Sequence, residues 1–230
     1  FHLLRSLMLT LATLFFFTAI KTNPIPNALT LLFVSPLIVA MLAPFVLGER
    51  FDIFIGIGVL VGFVGVVIVL QPDTDQFRPS LMYALVAGFC YALYIITTRK
   101  LSLSGPPLLT LFYTAIVGTL VLGPMAVSDW VVPDLIGILM AAAMGLVAAT
   151  SHFMIIKAFE CATASELSPF GYFEIVVAMA LSFFVFNFVP TYDAVIGLII
   201  IIISGLFVSW RSMKNNRAIT KQSESVIEML

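Results

Sequence analysis

Apolar residues run in long blocks along this chain, and polar residues are confined mostly to the short gaps between them. The blocks are Leu3 to Ile20, Asn27 to Gly48, Phe51 to Leu70, Ser80 to Thr98, Pro107 to Val127, Asp134 to Phe159, Ser165 to Phe188 and Thr191 to Trp210. A hydrocarbon layer about 30 Å thick is crossed by roughly 20 helical residues. Each block is therefore predicted to be one membrane span, eight in all, and the fold class is an all-α polytopic membrane helix bundle. Small residues recur four apart inside the blocks, as at Gly58 and Gly62, at Ala84, Gly88 and Ala92, and at Ala141, Gly145 and Ala149. In lipid no hydrophobic force drives helices together, so such stripes, which let backbones approach closely, predict a tight bundle.

Composition agrees with lipid as the main solvent. The chain is 61% hydrophobic and 10% charged, with a mean hydropathy of +1.15, whereas soluble domains carry about 25% charged residues. The few cations orient the spans. With the N-terminal edge on the inner side, Arg5, Arg50, Arg99, Lys100, Lys157, Arg211, Lys214, Arg217 and Lys221 are inside, and Lys21 and Arg78 are outside. Both ends of the chain are then expected in the cytoplasm. Asp73, Asp75, Asp129 and Asp134 fall in outer loops, while Trp130, Tyr192 and Trp210 sit near span ends as interfacial anchors.

The blocks also repeat. Sliding residues 15–70 onto 153–209 by 139 positions puts Ala19 on Ala158, Ser35 on Glu174 and Leu47 on Phe186, and a shift of 140 puts Gly65 on Gly205. The second copy has five spans between Ser80 and Trp210 and the first has three, so two N-terminal spans are expected to be missing from a parent of ten. Five spans per copy is an odd number, which gives the copies opposite orientation, the inverted-repeat plan of transporters. The units expected are residues 1–72 (first repeat, truncated), 80–211 (second repeat) and 212–230 (a polar, solvated tail).

The run Pro24-Ile25-Pro26-Asn27-Ala28, Phe33-Val34-Ser35-Pro36-Leu37, Leu47-Gly48-Glu49-Arg50, Gly62-Phe63-Val64-Gly65 and Gln71-Pro72 resembles the first EamA repeat of the drug/metabolite transporter superfamily. His152, Lys157-Ala158-Phe159, Ser168-Pro169-Phe170-Gly171-Tyr172, Val189-Pro190 and Ile203-Ser204-Gly205 resemble the second. The wording is most similar to bacterial members grouped with S-adenosylmethionine and riboflavin carriers, which implies a bacterial inner (plasma) membrane. The resemblance implies a secondary transporter that moves a small metabolite by alternating access around a pocket between the two repeats. It departs from the pattern at one place, since the Gly-Glu that closes the first copy becomes Asn187-Phe188 in the second. Any role of that carboxylate rests on Glu49 alone.

Chemistry is expected where polar groups cost most. An ionisable residue deep in a span costs at least about 2 to 3 kcal/mol and needs compensation. Glu174 in the seventh span and His152 in the sixth lie about equally far from the intervening loop, so antiparallel neighbours would pair them near mid-membrane. Glu174 is the candidate coupling carboxylate or cation site, and His152 its proton partner. Its repeat position, Ser35, is polar but uncharged, which favours one such site. Pro36, Pro44 and Pro169 are expected to interrupt the second and seventh spans, where broken turns can line a cavity. Ser35, Ser168, Thr30 and Asn27 would supply polar contacts there. Tyr172 and Tyr94, with Tyr91, Phe112 and Tyr113, are candidates to stack on a planar solute, and Arg5 to hold an anionic group or snorkel to the surface. Lys157, near Glu160 and Glu166, is either a surface partner or an inner gate.

No phosphate loop, zinc-protease motif or nucleophile elbow is present, and neither Cys90 nor Cys161 has metal-ligand company. No cofactor and no metal are expected. The partners expected are a small-molecule substrate, the lipid bilayer, either a proton as coupling ion or a second solute in exchange, and a second copy in a homodimer, with no nucleic acid. An integral membrane transferase using His152 and Glu174 as an acid-base pair, and a passive channel, are the alternatives to transport.

Overall fold

A computed structural model of the chain describes residues 1–49, 52–72, 78–102, 105–128, 130–187 and 189–228, with side chains described as far as Lys214 apart from Ser128, Ser182, Phe186, Ser212 and Met213. Arg50, Phe51, Asp73, Asp75, Asp129 and Phe188, and the side chains of Arg217 and Lys221, lie outside what is described. The helices are α1 (His2–Ile20), α2 (Ile25–Leu32), α3 (Ser35–Leu47), α4 (Ile53–Leu70), α5 (Met82–Ser102), α6 (Pro107–Ser128), α7 (Leu135–Cys161), α8 (Ala164–Leu167), α9 (Phe173–Phe186) and α10 (Tyr192–Glu228). Tight 3-10 turns at Pro79–Leu81 and Ser168–Tyr172 precede α5 and α9. Among the described residues there is no strand, and eight helical stretches are long and apolar enough to cross a membrane. The protein is an integral membrane protein of the multi-pass kind.

Two of the eight spans are broken, both where Ser-Pro stands. The second divides into α2 and α3 at Phe33 and Val34, and the seventh into α8, the 3-10 turn and α9. Pro36 and Pro169 sit in the first turn of the element they open, where a missing N–H costs nothing because that donor has no intrahelical partner. Pro44 behaves otherwise than expected: it lies inside an unbroken α3. Helix α10 continues through the polar residues after Arg211 as far as Glu228.

Repetition is visible in the element boundaries. Helices α2 and α8 begin at Ile25 and Ala164, α3 and α9 at Ser35 and Phe173, and α4 and α10 at Ile53 and Tyr192, separations of 139, 138 and 139 residues. Phe33 and Tyr172, equivalent under the 139-residue shift, meet ring edge to face with centroids 6.2 Å apart. They sit in a core with Ile55, Val59, Val66, Ile175, Ile201 and Val208.

The tightest helix crossing joins α4 to α10, the repeat-related pair. A Cβ on Gly197 would lie 2.7 Å from the Gly65 carbonyl oxygen and 3.0 Å from the Val69 amide nitrogen. Only glycine permits that backbone approach. Ser204 Oγ, buried in the same seam, donates to the Gly58 carbonyl oxygen over 2.6 Å. Elsewhere the equivalent helices differ: α1 packs along α5 and α6, whereas α7 carries large apolar residues that stay exposed, such as Met144 and Leu146.

Candidate functional site

The two broken spans and two neighbouring helices enclose a cavity of about 300 Å³, at the lower end of the range of small-molecule pockets. Its walls are Ser35, Pro36 and Val39 of α3, Tyr91 and Ile95 of α5, Ile155, Ala158 and Phe159 of α7, and Leu167, Ser168, Phe170, Gly171 and Glu174 from α8 to α9. Most of this lining is aliphatic or aromatic. The polar groups are few: two serine hydroxyls, the Tyr91 phenol and one carboxylate.

That carboxylate, Glu174, is in the first turn of α9. The positive end of the helix dipole faces it there and offsets part of the cost of its depth. Among the described residues it makes no hydrogen bond or ion pair, and its side chain is accessible from the cavity. Ser168 Oγ gives its proton to the Ser165 carbonyl oxygen over 3.0 Å, so its oxygen is left as an acceptor towards the cavity. An unpaired carboxylate among aromatic and aliphatic walls is suited to an organic cation with a flat, apolar body.

Beside the cavity lies a second polar cluster, held together by internal hydrogen bonds. Arg5 of α1, 0% exposed, donates from Nε to Thr98 Oγ1 (3.0 Å), from Nη2 to the Tyr94 hydroxyl (3.2 Å) and from Nη1 to Thr114 Oγ1. Its guanidinium carbon also lies 4.7 Å from the Tyr94 ring centroid. The Tyr94 hydroxyl is 2.9 Å from His152 Nδ1.

A third cluster closes one end of the bundle. Glu49, just past α3, accepts from the Ala164 amide (2.7 Å), the Ser165 amide (3.0 Å) and Ser165 Oγ (2.7 Å) at the start of α8. Arg99 at the end of α5 stands 3.8 Å from it and donates to the Phe159 carbonyl oxygen. Val39, Ala43, Ala92, Ile96, Phe159 and Ala164 pack as one apolar plug among these helices.

Of the residues singled out in the sequence, Glu174, Ser35, Pro36 and Ser168 come together on the cavity wall, and Tyr91 joins them. The others are placed differently. Tyr172 is buried against Phe33 instead of facing the cavity, and its hydroxyl has no partner among the described residues. Thr30 is buried on α2, bonded to the Pro26 carbonyl oxygen (2.9 Å), and Asn27 is buried on the same helix. Arg5 does not snorkel: with Tyr94 it lies behind the wall. His152 does not pair with Glu174. The seventh span is not one straight helix running antiparallel to α7, and the Tyr94 hydroxyl takes the imidazole instead.

Lys157 bonds Glu160 over 2.8 Å at i,i+3 on an exposed face of α7. A pair within one helix cannot gate one element against another. Phe112 is exposed and Tyr113 stacks on His2, both away from the cavity. Among the described residues no group of three or more His, Cys, Asp or Glu could hold a metal. Glu49 and Arg99 were missed as a closure, although the absence of a second Gly-Glu was a signal that Glu49 has a task of its own.

The EamA-like transporter family matches residues 1–71 and 78–210. The chain belongs to that family. It is 30% identical over 214 residues to an S-adenosylmethionine uptake transporter of Rickettsia prowazekii, covering 93% of this chain and 73% of that one. It is 28% identical over 220 residues to a riboflavin transporter of Vibrio cholerae (94% and 74%) and 27% identical over 214 residues to a pseudopaline exporter of Pseudomonas aeruginosa (90% and 74%). A crystal structure superposes with a TM-score of 0.76 at 16% identity, covering 92% of this chain and 88% of that one, a likeness of fold. The EamA chain is thus a small-metabolite transporter and not an enzyme.

Proposed function

We propose that this EamA protein carries an organic cation of the S-adenosylmethionine type, with Glu174 as the group that neutralises the solute. The observation that carries this reading is the unpaired Glu174 carboxylate in a cavity otherwise made of Tyr91, Phe159, Phe170 and aliphatic walls. The relatives named for S-adenosylmethionine uptake support the choice of solute.

Transport proceeds by alternating access, one repeat rocking against the other around the cavity, with coupling to protons through Glu174 or by exchange of solutes. The end carrying Arg99, Lys100, Lys157 and Arg211 faces the cytoplasm, in keeping with the excess of cations there. Glu49 with its plug then shuts the cytoplasmic side, and its release is the step that opens the cavity inwards.

The test is uptake of labelled S-adenosylmethionine by proteoliposomes holding the full chain, with riboflavin as a parallel arm. Saturable accumulation of unchanged S-adenosylmethionine that Glu174→Gln removes is the expected result. Accumulation of riboflavin alone would replace the solute, and flux without saturation would make the protein a channel. Uptake that does not vary between about pH 5 and 8 would remove the proton from the mechanism.

A further inference from the structure

The hydrogen bonds from Arg5 to His152 have a direction that can be read without seeing a proton. Thr98 and Thr114 each give their hydroxyl proton to a backbone carbonyl, Tyr94 O at 2.6 Å and Thr110 O at 2.8 Å. Both oxygens therefore stand ready to accept from Arg5, as the distances require. A guanidinium donates and never accepts, so the Tyr94 oxygen accepts from Arg5 Nη2 and keeps its own proton to give. The acceptor at hand for it is His152 Nδ1, 2.9 Å away. If Nδ1 carried a proton, the Tyr94 hydroxyl, 0% exposed, would be an orphaned buried donor. The ring proton is accordingly on Nε2, and among the described residues Nε2 has no partner.

The donor so prepared stands on α7, which supplies part of the cavity wall, although His152 is not itself among the lining residues. His152 is one helical turn from Ile155 on α7, and Ile155 is part of the wall. The Tyr94 ring lies 5.4 Å from that of Tyr91, which lines the same wall. Arg5 has no carboxylate within ion-pairing distance among the described residues, so its charge is not cancelled locally and polarises the chain of donors that ends at Nε2–H.

We propose that Arg5 and Tyr94 are positioning residues that fix His152 as a neutral Nε2–H donor for a carboxylate of the solute, so that the protein selects zwitterions, with Glu174 taking the cationic group. This rests on the cavity being the solute site proposed above. An amino-acid end, carrying ammonium and carboxylate on one carbon, is the chemical class that uses both groups at once. Arg5 itself never touches the solute.

Two measurements on the full chain test it. In histidine-labelled protein, the ring nitrogen shifts of His152, assigned with His152→Asn, are expected to show a protonated Nε2 and a bare Nδ1, and Tyr94→Phe to bring in the other tautomer. Competition against labelled S-adenosylmethionine is expected to favour the free acid over its carboxyl methyl ester by roughly tenfold, the worth of one charge-assisted hydrogen bond. Tyr94→Phe and Arg5→Lys should bring that ratio towards one.

A wild-type ring that is protonated on Nδ1 overturns the proposal, and this reading needs no variant to fold. Equal competition by acid and ester in the wild type overturns it as well. Absence of any S-adenosylmethionine uptake with the expected tautomer present would instead count against the solute assigned above.

Discussion

Glu174 lies within a span and Glu49 in the short gap after one; both lack a carboxylate partner in the other repeat, and they are treated in opposite ways. Glu49 accepts three hydrogen bonds from the start of α8 and stands beside Arg99, with a side chain only 7% exposed. Glu174 accepts none among the described residues and looks into a cavity. A carboxylate whose lone pairs are met by the protein holds two elements together. One left unmet in an apolar cavity is held ready for something that arrives. Hydropathy sets Glu174 inside a span and Glu49 in a gap, and their partners show what each carboxylate is left to do.

That contrast breaks first at Glu174. Changing it to Gln keeps size and leaves the fold in place, and uptake of S-adenosylmethionine is expected to fall about 10- to 100-fold with no loss of thermal stability, as measured in proteoliposomes and by melting of the purified protein. At Glu49 the expectation is reversed. Glu49→Ala strips three donors and Arg99 of their acceptor and should cost about 2 to 4 kcal/mol, a fall in Tm of roughly 5 to 10 °C. Its effect on transport should appear as easier opening of the Arg99 end, read as faster labelling of a cysteine placed on the plug at Ala43.

A smaller effect belongs to the seam between α4 and α10, which neither carboxylate touches. Gly197→Ala presses a methyl onto backbone atoms of α4 and should lower stability by about 1 to 3 kcal/mol while leaving the solute preference unaltered. Least of all is Lys157→Ala. Its pair with Glu160 is exposed and within one helix, so melting should shift by no more than about 0.5 kcal/mol, with uptake unchanged. A large loss of uptake there would return the gate to α7 and weaken the part given to Glu49.

The spans were legible because their signal is one-dimensional: twenty apolar residues between polar gaps mean a crossing wherever the helix ends up. The register of the repeat was legible for the same reason, and it anticipated that Ser35 and Glu174 share a wall. Tyr172 was misplaced because an aromatic next to a polar residue reads the same whether it faces a cavity or the pseudo-symmetric core, and only the contact with Phe33 decides. His152 was assigned to Glu174 by counting residues from a loop, and that count assumed a straight helix. The four residues of α8 and the 3-10 turn at Ser168–Tyr172 broke the assumption.

Sequence by itself determined the solvent, the number of crossings, the duplication and the family, because hydrophobic length and repeated order survive without knowledge of neighbours. Tertiary structure decided which polar group is spent and which is free. Arg5 reaches residues 89 to 109 positions away, and Glu49 residues 115 and 116 positions away. Hydrogen bonds act over about 3 Å of space, whatever the separation along the chain, so the partners of Arg5, Glu49 and Glu174 had to await the packing of the helices.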